Sequence, residues 1–146
     1  MRKGCIILVL LISALSYSCT SSSMELSTAD VTDIENIFIE TEEAEYSSDV
    51  ETIRYTLTNN TEDELDTEYH RYVVEMYERG EWYTIPFLPS KYYPDIGITT
   101  HAGKTSSLLI DIKKDLGKLK KGKYRILHPI GSYPSVVYVI SEFTIS

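Results

Sequence analysis

The sequence predicts an all-β domain in which two antiparallel sheets, about seven strands in all, pack as a Greek-key sandwich. Three observations carry this reading. Apolar residues beyond residue 34 alternate with a period of two, turn-forming residues interrupt them at short intervals, and no stretch shows a helical apolar stripe.

The elements follow in order. Ile37 and Ile39 flank Phe38 in a first strand. Ile53, Tyr55 and Leu57 share one face of the next, with Thr52, Arg54 and Thr56 opposite, and Asn59-Asn60-Thr61 ends it in a turn. The acidic run Glu62-Asp63-Glu64-Leu65-Asp66-Thr67-Glu68 reads as a solvated loop. Tyr72, Val74 and Met76 mark a third strand, with Val73, Glu75 and Tyr77 on its other side. Arg79-Gly80 turns the chain into Trp82-Tyr83-Thr84-Ile85, because glycine accepts the positive φ of a tight hairpin. Pro86 and Pro89 then stop the pairing by removing backbone donors.

After a turn at Ala102-Gly103, Leu108, Ile110 and Ile112 face one way in a later strand. Lys113 to Lys121 holds two apolar residues and has Gly117 at its middle, so a short turn is expected there and not a helix. Tyr124 to Leu127 and Val136 to Ile145 complete the set.

Leu119, Gly122 and Tyr124 have the spacing of a tyrosine corner. In that motif the ring packs inside and its hydroxyl bonds backbone a few residues upstream, pinning a crossing between sheets. The plainer alternative is a tyrosine that opens a strand after a turn glycine.

Several short segments then fall into a recognisable order. They are the strand end Tyr55-Thr56-Leu57-Thr58-Asn59-Asn60, the hairpin exit Gly80-Glu81-Trp82 and the turn Ala102-Gly103-Lys104. Gly122-Lys123-Tyr124-Arg125-Ile126 and the terminal Glu142-Phe143-Thr144-Ile145 follow. Residues 34–146 therefore resemble the bacterial immunoglobulin-like domains of small cell-envelope lipoproteins. The resemblance implies an immunoglobulin-like sandwich and supplies no catalytic residues.

The N-terminus fits the same setting. Arg2 and Lys3 precede the short apolar run Ile6 to Ile12, which is too brief for a spanning helix. Leu15-Ser16-Tyr17-Ser18 then leads into Cys19, so residues 1–18 resemble a bacterial lipoprotein signal. Ser16 stands where leucine is usual and Tyr17 is bulky; a conventional cut nearby would instead release a soluble protein. The resemblance implies lipidation at Cys19, with several acyl chains giving a firm anchor in the cell envelope. Thr20 after Cys19 favours the outer membrane or cell surface. The Ser/Thr-rich residues 19–33 read as a flexible tether. Cys5 lies in the signal, so the folded part carries no disulfide even though export would permit one.

Charge narrows the partners. Without Arg2 and Lys3, 12 basic residues face 22 acids, and such a surface repels nucleic acid and anionic lipid. Bases concentrate between Lys104 and Arg125, either as a docking patch or, more simply, as a solvated connection balancing the acidic half.

No catalytic constellation is visible. No Gly-x-Ser-x-Gly occurs, and His70, His101 and His128 lack metal-ligand spacing. The acidic run lacks the ordered ligands of a calcium loop. No metal and no cofactor is implied. Eleven tyrosines beyond the signal and the single Trp82 are the unusual enrichment. Trp82, Tyr92, Tyr93 and Tyr133 are the candidate binding residues, since exposed rings stack on sugars and anchor protein interfaces. Ordinary strand preference accounts for most of the other tyrosines, and a proline-rich loop could pack its own rings over the sheet edge. The expectation is a non-enzymatic, membrane-anchored module binding envelope protein or glycan. The alternative is a passive accessory domain of a larger complex.

Overall fold

The computed structural model describes residues 23–68, 71–89 and 96–146. In chain order the strands are β1 (Glu25–Leu26), β2 (Ile37–Thr41), β3 (Glu45–Tyr46), β4 (Thr52–Asn59), β5 (Leu65–Glu68) and β6 (Val73–Glu78). They continue as β7 (Glu81–Thr84), β8 (Gly97–Thr100), β9 (Lys104–Asp111), β10 (Gly122–Ile130) and β11 (Val137–Ile145), with one helical turn, α1 (Ile112–Asp115), before β10. A six-stranded sheet runs β1-β7-β6-β10-β11-β3, a three-stranded sheet runs β2-β4-β9, and β5 pairs with β8. The chain crosses between the two larger sheets after β1, β2, β3, β4, β7 and β9, so that strands distant in sequence become sheet neighbours.

Period-two alternation explains how the layers close. Ile53, Tyr55 and Leu57 of β4 and Leu108 and Ile110 of β9 point inward from the small sheet. They meet Val74 of β6, Tyr124 and Ile126 of β10, and Val139, Phe143 and Ile145 of β11. Each such burial stabilises the fold by about 1.5–3 kcal/mol. Tyr124 stacks on Phe143 with ring centres 5.5 Å apart, across the register pair that joins β10 to β11. The β6–β7 turn places Arg79 and Gly80 both at positive φ, the conformation that a two-residue hairpin with native twist requires.

The structure departs from the sequence reading in four places. The acidic run is half strand, not all loop: Leu65 and Thr67 turn inward while Asp66 and Glu68 stay in solvent, and β8 supplies the partner. Ile112 is buried, but it opens α1 and is not part of β9; the Asp111 side chain caps this turn by accepting from the Lys114 N–H at 3.0 Å. Tyr72 is likewise buried just before β6 begins, with its hydroxyl bonded to Asp115.

The fourth departure concerns the tether. Glu25 and Leu26 pair with Thr84 and Tyr83 of β7, at one edge of the large sheet. Only a few residues later, Tyr138 of β11 donates to the Asp30 carbonyl at 2.9 Å, and Thr32 donates to the Tyr138 carbonyl at 3.0 Å, near the other edge. Residues 25–32 are thus tied to the sandwich. Alternation points Leu127 and Glu75 away from the core, yet both are fully buried. Residues 27–29 run between these two attachments, which lie on either side of β6 and β10.

Candidate functional site

The site begins with the hairpin that links β10 to β11. Gly131 has a φ of 87°, and a Cβ there would sit 2.9 Å from the Ser135 carbonyl oxygen, so only glycine lets the hairpin close this tightly. The Ser135 N–H donates to the Ser132 carbonyl at 2.9 Å and completes the bend. Between these residues Tyr133 projects with 92% of its surface exposed.

Below the hairpin, Pro129 and Tyr138 lie directly opposite each other on β10 and β11. Glu68, at the end of β5, and Arg71 form an ion pair. Together with Gly131, Ser132, Tyr133 and Val136 these residues line a cleft of about 440 Å³. Its walls carry two phenol rings, a hydroxyl, a carboxylate and a guanidinium. That mixture can stack a flat apolar surface and hydrogen-bond a polar rim.

Trp82 lies elsewhere. The register Trp82–Tyr77–Lys123 puts it at the opposite end of the large sheet from the β10–β11 hairpin, so Trp82 and Tyr133 do not share a patch. The indole is half-buried, with the Arg125 guanidinium 4.3 Å from its ring centre and Tyr77 tilted against it at 5.1 Å. Arg125 in turn bonds Glu75 through Nε at 2.7 Å and Nη2 at 2.6 Å. Lys123 is paired with Glu142 at 2.6 Å. Lys123 and Arg125 are therefore both already engaged.

Tyr124 is buried, and its hydroxyl donates to the Lys120 carbonyl at 2.6 Å. Leu119 is buried beside it, and Gly122 opens β10. Burial raises the Tyr124 phenol above its usual pKa. His128 faces the core, with Nδ1 3.0 Å from the Tyr55 hydroxyl, and burial lowers its pKa to about 4. His101 is exposed and paired with Glu64 at 2.7 Å. Among the described residues, no three histidine, cysteine or acidic side chains gather as a metal ion would require. The acids of the 62–68 run diverge: Glu64 turns to His101, Asp66 to the Thr99 hydroxyl and Glu68 to Arg71.

Cys19, His70, Tyr92 and Tyr93 lie outside the described residues, as does the signal over residues 1–18. Sequence reasoning singled out Tyr133 but missed Glu68, Arg71, Pro129 and Tyr138, which only the fold brings beside it. The Glu75–Arg125 pair was also missed. Its signal was present as opposite charges at the middle of two strands that otherwise alternate regularly.

A family model described as "Bacterial Ig-like domain" matches residues 33–144. No curated protein matches the chain.

Proposed function

Because the chain belongs to the bacterial Ig-like domain family, we propose that it is a non-catalytic recognition module held at the bacterial cell envelope by a lipid on Cys19. Residues 1–18 act as the export signal in this reading, and residues 19–24 link the lipid to β1. The partner is an envelope protein or glycan, bound at the loop end of a rigid sandwich, where such scaffolds carry recognition. The observation that supports recognition is the cleft beneath Tyr133. A ring 92% exposed beside a concave, mixed-polarity surface contributes nothing to the core and is available to a partner.

Two experiments test this reading. Metabolic labelling with a fatty-acid analogue should mark the wild-type protein and not Cys19→Ala; equal labelling would remove the anchor. Purified domain beginning at Ser23 should capture an envelope component that Tyr133→Ala captures poorly. Capture that ignores Tyr133 would leave the passive accessory role in its place.

A further inference from the structure

We infer that the cleft beneath Tyr133 takes a neutral saccharide ring; this rests on the recognition reading above and names its ligand class. The argument is one of matching chemistry. A pyranose offers a flat patch of C–H groups on one face and hydroxyls around its edge, each both donor and acceptor. Tyr133 supplies an exposed aromatic ring, while the neighbouring pair Tyr138 and Pro129 adds apolar surface to the cleft lining. Glu68 and Arg71, paired in the lining of the same cleft, place acceptors and donors next to each other, as adjacent hydroxyls require.

Other ligand classes fit less well. The guanidinium of Arg71 is already neutralised by Glu68, so among the described residues lining the cleft no unpaired cation awaits a carboxylate or phosphate. The chain carries a formal charge of −8, which repels anionic polymers at long range. An acyl chain would leave the carboxylate and guanidinium of the wall without water, at a desolvation cost. The cleft volume of about 440 Å³ lies within the range of small-molecule sites.

The test is an NMR titration of the domain beginning at Ser23 with maltose, cellobiose and N,N′-diacetylchitobiose, alongside glucuronate and inorganic phosphate. At least one neutral disaccharide should shift the amide signals of Gly131, Ser132 and Tyr133. Tyr133→Ala should weaken that binding about tenfold, whereas Tyr133→Phe keeps the stacking face and should change it less than about twofold. Tighter binding of glucuronate or phosphate than of every neutral sugar would overturn the inference, as would equal losses in the Ala and Phe variants. If no sugar shifts the hairpin while Tyr133-dependent capture from envelope extract persists, the saccharide inference fails and the recognition reading stands. If both vanish, both fail.

Discussion

Nδ1 of His128 lies 3.0 Å from the hydroxyl of Tyr55, and this contact joins β10 of one sheet to β4 of the other through the middle of the core. Nε2 of the same ring is buried with no hydrogen-bond partner among the described residues. An imidazolium there would be a desolvated charge, so the fold holds the ring neutral.

Acid sensitivity follows from that pair. The folded pKa of His128 is about 4, below the ordinary 6.5, so the unfolded chain takes up the proton first as pH falls. Its contribution is fully present above pH 6.5 and is lost as pH drops towards 4, by about 3 kcal/mol in all. Urea unfolding at pH 7 and pH 4.5 should show a smaller loss in His128→Gln than in wild type. Parallel losses would mean that carboxylates alone govern acid stability.

Tyr124→Phe retains the buried ring and deletes its bond to the Lys120 carbonyl. It should lower unfolding free energy by about 1 kcal/mol, with the backbone amide spectrum otherwise preserved. An unchanged denaturation midpoint would show that the hydroxyl contributes nothing to the β9–β10 crossing.

Glu75 is fully buried, and Arg125 is the cation that compensates it. Arg125→Leu should cost about 3–5 kcal/mol by leaving a carboxylate uncompensated, and adding Glu75→Leu should restore most of that. The double-mutant cycle reads the coupling directly, and additive losses would contradict it.

Gly131→Ala places a methyl group against the Ser135 carbonyl at a positive φ. A loss of about 1–3 kcal/mol is expected, together with altered hairpin amide shifts and a changed cleft. Wild-type spectra for this variant would show that the bend has slack.

A chain beginning at Ile34 lacks β1 and the Asp30 and Thr32 bonds to Tyr138. Compared with a chain beginning at Ser23 it should lose about 2 kcal/mol and expose Leu127 to an apolar dye. Equal stability and dye binding would return residues 25–32 to the status of a loose leader.

Much of the fold was readable from alternation, because Ile53, Tyr55 and Leu57 bury one face against a single core and leave Arg54 and Thr56 outside. The misses have separate causes. Wherever a second, non-repeating segment covers a strand, the in–out pattern ceases to report burial. Glu75, Arg125 and Leu127 sit on a face that alternation assigns to solvent; Glu75 and Arg125 bury each other under Trp82, and chain that composition marks as a tether is fastened to both sides of that face. Leu65 and Thr67 were hidden among carboxylates whose charge outweighed two inward residues. Tyr133 was readable as an aromatic in a proline-bearing turn, but Glu68 and Arg71 lie more than 60 positions upstream of it and share no local pattern with the hairpin.

Pairing of Glu25 and Leu26 with β7 also governs how the molecule would stand over a bilayer. Glu25 comes six residues after Cys19, a stretch that reaches about 20 Å when drawn straight. Were Cys19 to carry an acyl group, that short span would hold the β7 margin near the bilayer instead of letting the sandwich swing on a long cable. That end of the sheet carries the carboxylates of Glu25, Glu78 and Glu81, which anionic headgroups would repel. Over anionic lipid its elevation should rise in dilute salt and settle as added electrolyte shortens the Debye length.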